Sequence, residues 1–208
     1  MSFLSTSKGW LVGVLEYEAA LARLISNVIS PPLVGIFTAI AFIVYAVPQP
    51  QKVLIWLSWG LPLLIIPPLA YVVWLVRTGE LADIHMPDRR SRIKPLTVIL
   101  GWSIACLLGL HFWGAPSVLI LVMLATMGYM MVMSAVTLFW KISFHSSAIT
   151  AAASIGIAVS GVATGWSIVA LILIPVVGWA RVHLRRHTLG QVCAGCLVGS
   201  GMGLILLA

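Results

Sequence analysis

Charged side chains are scarce in this sequence and make up only 8% of its 208 residues. A soluble globular domain carries about 25% charged residues, whereas 61% of the residues here are hydrophobic. This composition excludes a soluble enzyme, a disordered chain and a secreted disulfide-rich module. We therefore expect an all-α integral membrane protein with most of its chain in lipid, and the length leaves little room for a second domain.

Acidic residues and cysteines are also rare, with five and three copies respectively. Cys106, Cys193 and Cys196 lie in apolar runs, which indicates packing residues and no disulfide framework. Because twelve Lys and Arg face only five acids, the chain is strongly basic. It has no soluble basic domain to present to DNA or RNA, so we expect no nucleic-acid partner and favour membrane lipids with phosphorylated headgroups.

Long apolar runs give the predicted architecture. A helix of about 20 apolar residues crosses a bilayer, and runs near this length predict a bundle of six or seven transmembrane helices. The runs lie at 31–47, 53–76, 96–113, 116–139, 147–164, 166–180 and 188–207. Residues 1–30 mix apolar and charged residues at helical spacing, which predicts an N-terminal interfacial amphipathic helix. Residues 31–208 form the predicted transmembrane helical domain.

The last apolar run contains a stripe of small residues, Gly195, Gly199 and Gly203, spaced four apart. Small residues on one helix face let a neighbouring helix approach closely. We expect this face to pack inside the bundle, with a homodimer contact as the alternative.

Three polar segments interrupt the apolar runs, at 79–95, 141–147 and 181–187. Two runs separate the first segment from the second, and two more separate the second from the third. Because an even number of crossings returns the chain to the same side of the membrane, we expect all three segments to meet on one side.

The side chains that would meet there are mainly cations and histidines. Arg and Lys bind phosphate groups well, Arg through its bidentate fork, and His serves as a nucleophile or proton donor near neutral pH. Lys and Arg at the ends of spans are also ordinary topology anchors. Because these cations are expected on the same side of the membrane as His145 and His187, we favour a phosphoryl-transfer site. The second segment would contribute Lys141 to it as a phosphate-binding cation.

At these residues the sequence resembles the type 2 phosphatidic acid phosphatase superfamily, the integral membrane branch related to vanadium haloperoxidases. The third motif of that family is Ser-Arg, five residues, His, three residues and Asp. Here the same spacing holds Ala180-Arg181, then His187, then Gln191. This is the strongest of the three motif matches.

The other two motifs of the family are matched less closely. Pro-Ser-Gly-His appears as Ile142-Ser143-Phe144-His145, which keeps the Ser and the His. The first motif is Lys, six residues and Arg-Pro. Its end is matched by Lys94-Pro95, with Pro87 in the place of the Lys, and Arg89 or Arg92 would supply that charge in a shifted alignment.

The resemblance implies a mechanism that uses no metal and no cofactor. His187 would attack the substrate phosphorus and form a phosphohistidine, and His145 would protonate the departing lipid oxygen. A hydroxyl group and several cations would hold the phosphoryl oxygens. These residues are Ser143, Arg181 and a first-motif cation from Arg89, Arg92 or Lys94. The substrate would be a polyprenyl (di)phosphate or a phosphatidic acid-like lipid.

Gln191 stands where the family has the Asp that orients the nucleophilic His. It follows His187 by one helical turn, so contact with the imidazole is feasible. A Gln carbonyl can accept the ring N–H but brings no charge, and in serine proteases the corresponding Asp-to-Asn change costs about 10⁴ in rate. Either the enzyme is slow, or Asp83 or Asp88 takes over, or the protein is no longer an enzyme.

Three other functions compete with a lipid phosphatase. A catalytically silent relative, serving as an accessory or scaffold subunit of a larger membrane complex, is favoured by Gln191. A magnesium-dependent prenyltransferase would need a second acidic cluster in addition to Asp83 and Asp88. Elsewhere in the chain only Glu16 and Glu18 remain to supply it, so the sequence does not favour this function. A transporter of anionic lipids would carry charge in the middle of a span, and the apolar runs contain almost none.

All Lys and Arg residues except Lys52 fall on the motif side, when Lys8 and Arg23 are counted with the N-terminus. The positive-inside rule places that side in the cytoplasm. Segment 83–95 also resembles a bacterial and archaeal subgroup of the family, which implies a prokaryotic inner (plasma) membrane. A homo-oligomer and a partner in a membrane complex both stay open.

Overall fold

The computed structural model describes residues 3–82, 86, 88 and 90–207, with side chains from Glu16 onward. Over these residues the chain consists of helices and turns, with no β-strand. The α-helices of this part are α1 (Phe3–Val28), α2 (Pro31–Ala46), α3 (Pro50–Ile55), α4 (Leu61–Arg77), α5 (Ile93–Phe112), α6 (Ser117–Phe139), α7 (Phe144–Ser160), α8 (Gly165–His183) and α9 (Leu189–Leu207). A π-helical turn at Trp56–Gly60 joins α3 to α4, and a 3₁₀ turn at Arg90–Arg92 leads into α5.

Five helical segments of the described chain are long and apolar enough to cross a membrane. They are Pro50–Arg77, Arg90–Phe112, Ser117–Phe139, Gly165–His183 and Leu189–Leu207. Glu16–Val28 and Pro31–Ala46 pass the same test only as a pair, bent by 46° at the break between them, as in a broken span or a re-entrant loop. The all-helical architecture with several apolar helices of membrane length is therefore as predicted. The described chain has five such helices, or six if the bent pair is one span, so the predicted count of six or seven is not confirmed.

Helix α7 has 17 residues and, like the 16-residue α2, is a predicted span that by itself falls short of membrane length. It lies against α2, α8 and α9, and ten of its residues are buried. Most of them are small, such as Ala151, Ala152 and Ala153, which lets the neighbouring helices approach closely. Because protein surrounds much of α7, its first turn is placed inside the molecule and not against lipid.

The glycine stripe of α9 packs against α7. A Cβ atom added at Gly195 would lie 2.6 Å from the carbonyl oxygen of Ser143, and one at Gly199 would overlap the carbonyl oxygen of Ser147. The Ser154 hydroxyl donates a hydrogen bond to the Gly199 carbonyl oxygen at 3.1 Å across the same contact. The predicted packing inside the bundle is therefore observed, and this face is not free to form a homodimer.

We expect Gly199→Ala to lower the stability of the protein, because the new methyl group has no room beside the α7 backbone. Overpacking of this kind costs about 1–3 kcal/mol. Gly201→Ala is the matched control, since an added Cβ at Gly201 meets nothing within 4 Å. The apparent Tm in detergent micelles should fall for the first variant only; equal melting of both would contradict the packing described here.

Candidate functional site

The three polar segments meet at one end of the bundle, as predicted, and this requires α7 to run back along the bundle between the second and third segments although it has only 17 residues. An Nη1–H group of Arg92 donates to the carbonyl oxygen of Ile142 at 3.5 Å, and the guanidinium carbon lies 5.3 Å from the ring centre of Phe144. The backbone N–H of Ser143 donates to the carbonyl oxygen of Gln191 at 3.3 Å. The first segment therefore contacts the second, and the second contacts α9 directly after the third segment. The charges of Arg181 and Arg186 in the third segment also act on Lys141 in the second.

Ser143 caps the N-terminus of α7. Its hydroxyl oxygen accepts a hydrogen bond from the backbone N–H of Ser146 at 3.3 Å and lies 2.9 Å from the Ser146 hydroxyl. Capping by Ser satisfies one of the free N–H groups at a helix start. The side chain that the sequence assigns to phosphate binding is thus fully buried and already used in the first turn of the helix.

Four cations surround this end of the bundle: Arg92, Lys141, Arg181 and Arg186. Burial lowers the pKa of the Lys141 ammonium group, and the positive charges of Arg92, Arg186 and Arg181 lower it further. The negative charge of Asp88 opposes this shift, and among the described residues Asp88 is the carboxylate that does so. The cluster therefore carries excess positive charge, which an anion would relieve.

Arg181 has an unsatisfied donor at the centre of this positive charge. Its Nε atom is buried and has no hydrogen-bond partner among the described residues. The Nε–H of Arg92, by contrast, donates to the carbonyl oxygen of Met86 at 3.0 Å. Leaving a buried donor unpaired costs about 1–3 kcal/mol, and more for a charged group. A bound anion would supply the missing acceptor.

His187 lies in the turn between α8 and α9 and is 7% exposed. The backbone N–H groups of Arg186 and His187 both donate to the carbonyl oxygen of Arg181, at 3.1 and 3.3 Å. Arg185, which precedes these two residues and follows the end of α8, has a φ of 51°, in the left-handed region. This ending is a common way to close a helix, and it brings the His187 side chain back toward Arg181.

Gln191 contacts the imidazole of His187, as the one-turn spacing predicts. The distance from His187 Nδ1 to Gln191 Oε1 is 3.1 Å, and the backbone N–H of Thr188 donates to the same oxygen at 3.3 Å. Because the amide oxygen serves as an acceptor, Nδ1 must donate its hydrogen to it. In the neutral ring the lone pair is then on Nε2.

The imidazole of His187 is neutral near pH 7. Its burial lowers the pKa of the ring to about 4, with the positive charge of Arg181 as the next cause. The charges of Lys141 and Arg92 act in the same direction, while the hydrogen bond to Gln191 opposes them. A neutral imidazole with a lone pair on Nε2 can act as a nucleophile toward an anion held by the neighbouring cations.

His145 lies in the first turn of α7 and is buried. Its Nε2 atom is 3.1 Å from the backbone carbonyl oxygen of Ser26 in α1. Because a carbonyl oxygen only accepts, Nε2 carries a hydrogen in this contact. His145 therefore attaches α1 to the start of α7, in addition to any role in catalysis.

The first segment contributes Arg92 to the cation cluster. Lys94 instead forms an ion pair with Glu80, and it is not among the charges that act on His187. Arg89 and Asp83 lie outside the described residues. Asp88 is described, and it too is not among the groups that act on His187. The hypothesis that Asp88 replaces the orienting carboxylate therefore has no support from the structure.

Thr188 and Arg186 are the site residues that the motif comparison does not assign. Thr188 forms reciprocal hydrogen bonds with Gln191, because the backbone N–H of Gln191 donates to the Thr188 hydroxyl oxygen at 3.3 Å. Thr-x-x-Gln before an apolar run is the sequence signature of this capping box. That signature in residues 188–191 would have indicated where α9 begins and how the Gln191 side chain is held.

Among the described residues, no group of three or more His, Cys, Asp or Glu side chains is placed to hold a metal ion. The acidic cluster that a magnesium-dependent prenyltransferase would require is not present in this part of the chain. The three cysteines are free thiols; Cys106 is buried, as expected of a packing residue, whereas Cys196 is half-buried and Cys193 is exposed.

Comparisons of the chain with protein-family models, with curated proteins and with solved structures find no match. The resemblance to the phosphatidic acid phosphatases therefore depends on the motif residues named above.

Proposed function

We propose that the protein is a membrane lipid phosphatase that hydrolyses a polyprenyl (di)phosphate or a phosphatidic acid-like lipid through a phosphohistidine. One observation carries the proposal: the Nε of Arg181, which is buried and has no hydrogen-bond partner in the described part of the chain, lies in a cluster of cations beside a neutral imidazole. The cations attract an anion, and the imidazole can attack it.

Phosphate is the anion that this cluster suits best. A phosphate monoester carries up to two negative charges and presents several acceptor oxygens, and the planar guanidinium of Arg binds two of them at once. Arg92 and Arg181 come from different segments and would hold different oxygens. Lys141, on which the charges of both arginines act, adds a further positive charge. Together they would stabilise the charge that builds up on the phosphoryl oxygens in the transition state.

The reaction has two steps. The lone pair of His187 Nε2 attacks the terminal phosphorus, and the bond from that phosphorus to the leaving oxygen breaks. The leaving oxygen is the lipid oxygen of a monophosphate or the bridging oxygen of a diphosphate; it keeps the electron pair and takes up a proton. The ring then carries a positive charge with its Nδ1–H held by Gln191. Water next attacks the phosphorus, the P–N bond breaks, and inorganic phosphate leaves with the neutral imidazole restored.

Two groups are candidates for the proton donor to the lipid oxygen. The family resemblance implies this role for His145, whose Nε2–H donates to the Ser26 carbonyl oxygen in the present arrangement. Lys141 is the second candidate, because its lowered pKa makes the ammonium group a better acid than an ordinary lysine.

The location of the cluster favours a lipid as the substrate. Arg181 belongs to the last turn of a helix long and apolar enough to cross a membrane, and Arg92 belongs to the first turn of another. A phosphate bound between these residues would be at the depth of lipid headgroups. We place the protein in a prokaryotic inner (plasma) membrane, with this end facing the cytoplasm because it carries nearly all the Lys and Arg.

The test is phosphate release by the purified protein in mixed micelles that contain phosphatidic acid, a polyprenyl monophosphate or a polyprenyl diphosphate. We expect at least one of these lipids to be hydrolysed and glycerol 3-phosphate, which has no tail, to be a poor substrate. Release from none of the lipids would contradict the proposal.

Changing Gln191 should move the acidic limb of the pH–rate profile. The wild-type rate should fall as the pH drops toward about 4, where His187 takes up a proton and loses its lone pair. In Gln191→Asp a carboxylate next to the ring stabilises the protonated form, which should raise the pKa of His187 by about 1–3 units. The limb of kcat/KM then moves to higher pH by that amount, and the maximal rate increases.

Gln191→Leu is the opposite control for this prediction. The hydrogen bond to Gln191 raises the pKa of His187, so its loss should move the acidic limb to lower pH. The same profile for all three proteins would show that His187 does not govern the acidic limb.

A catalytically silent accessory subunit is the second candidate. It is favoured by the capping box, which gives Gln191 a structural use at the start of α9. In that case the cation cluster would bind a lipid headgroup without hydrolysing it. Tight binding of phosphatidic acid vesicles together with no phosphate release, in both the wild type and Gln191→Asp, would favour this function.

A further inference from the structure

The hydrogen bonds between Thr188 and Gln191 cap α9 and also involve the amide oxygen that contacts His187. The Gln191 amide oxygen accepts from the Thr188 backbone N–H at 3.3 Å and lies 3.1 Å from His187 Nδ1. The Thr188 hydroxyl in turn accepts from the Gln191 backbone N–H at 3.3 Å. A single amide oxygen is thus shared between a helix cap and the imidazole.

An amide side chain by itself does not select one form of a histidine. Its oxygen accepts a hydrogen, and its nitrogen donates two. If the Gln191 amide were rotated by half a turn, its NH₂ group would point at Nδ1, which would then have to be the acceptor. The neutral ring would carry its hydrogen on Nε2 and have no lone pair there.

The Thr188 N–H decides between these two orientations. A donor facing the amide of Gln191 is satisfied by the oxygen and opposed by the NH₂ group. The backbone of Gln191 is held independently, because its carbonyl oxygen accepts from the Ser143 N–H at 3.3 Å. The Thr188 N–H faces the amide oxygen while the helix cap is closed, and the hydrogen bond from the Gln191 backbone N–H to the Thr188 hydroxyl closes it. Loss of the hydroxyl opens the cap and releases the N–H from the amide, so the orientation of the Gln191 side chain depends on both Thr188 contacts.

We propose that Thr188 is a positioning residue, which uses the helix cap to fix the Gln191 amide and so keeps His187 in the form with its lone pair on Nε2. The importance of this form for catalysis rests on the proposed function, because Nε2 is the atom that would attack phosphorus. The hydrogen bonds themselves do not depend on any activity.

The test is ¹⁵N NMR of the histidine rings in protein labelled at histidine and held in detergent micelles near pH 7. His187→Asn identifies the His187 signals, and their shifts report which ring nitrogen carries the hydrogen. Thr188→Val removes the hydroxyl acceptor, and Thr188→Ser keeps it. Thr164→Val is the matched control, because Thr164 also precedes a helix but lies at the other end of α8.

We expect the wild type, Thr188→Ser and Thr164→Val to hold the hydrogen on Nδ1. In Thr188→Val the ratio of the Nδ1–H to the Nε2–H form should fall about fivefold, which corresponds to the loss of one cap worth about 1 kcal/mol. An Nε2–H ring in the wild type, or a Thr188→Val spectrum equal to that of the wild type, would overturn the proposal.

Two further results keep the proposal open to refutation. If Thr188→Val fails to fold, Gln191→Leu removes the amide while the cap hydroxyl stays, and retention of a pure Nδ1–H ring would overturn the proposal. A shifted ring in Thr188→Val together with no phosphate release by the wild type would support the role of Thr188 and reject the proposed phosphatase.

Discussion

With a lipid phosphate as the substrate, His187→Asn is expected to lose essentially all phosphate release. Asn can still accept or donate near the Nδ1 site, but it has no atom in the place of Nε2 to attack phosphorus. Removing the nucleophile from enzymes with covalent intermediates lowers kcat by on the order of 10⁴-fold or more. The measurement is the initial rate of phosphate release in mixed micelles at saturating lipid.

His183→Asn is the control for this variant. His183 is the last residue of α8 and stacks on Trp179, with ring centres 5.1 Å apart. It is not among the groups that act on His187, so its rate should stay within a few fold of the wild type. If the two substitutions reduced the rate equally, His187 would have no special role.

Arg181→Met is expected to reduce activity while leaving the protein as stable as before, or more stable. Loss of a charge-assisted hydrogen bond to phosphate costs about 1.5–3 kcal/mol, so kcat/KM should fall on the order of 10- to 100-fold. In the free protein, however, the substitution removes a buried unpaired donor and one charge from a cluster of like charges. The apparent Tm should therefore stay the same or rise.

Lys52→Met is the matched control for the loss of a cation. Lys52 belongs to α3 and lies on the opposite side of the membrane from Arg181 by helix parity. Its substitution should therefore leave kcat/KM for the lipid phosphate unchanged. A fall in the apparent Tm of Arg181→Met with no change in kcat/KM would mean that Arg181 supports the fold and binds no anion.

The sequence predicts the helices and their common polar end well, because both depend on hydropathy. Spans of about 20 apolar residues define where the membrane crossings lie, and parity then brings Arg92, Lys141 and His187 to the same side. Helices α2, with 16 residues, and α7, with 17, are the exceptions in length. A helix packed among other helices is not required to match the bilayer, and hydropathy alone does not show which helix is central.

The contacts within the site were predicted only where they are local in the chain. The Gln191 contact with His187 follows from one helical turn. The sequence does not show that Arg92 joins the cation cluster while Lys94 does not. This difference depends on Glu80, which lies fourteen residues before Lys94 and forms an ion pair with it. The contact of His145 with Ser26 joins residues 119 positions apart, and no periodicity in the sequence encodes it.

The partner of the glycine stripe also needed the structure. Spacing by four residues shows that Gly195, Gly199 and Gly203 share a face, but an internal helix and a second copy of the chain fit that face equally well. The carbonyl groups of α7 that approach these glycines settle the question.

The most direct measurement of the central claim is the detection of phosphate on His187 during turnover. The protein would be mixed with a lipid phosphate labelled with ³²P, stopped within milliseconds in alkali, digested and analysed by mass spectrometry. We predict a phosphopeptide that contains residues 186–191, stable in alkali and labile in acid, with the phosphate on His187 and none in His187→Asn. Turnover of the lipid with no label on His187 at any time would contradict the account.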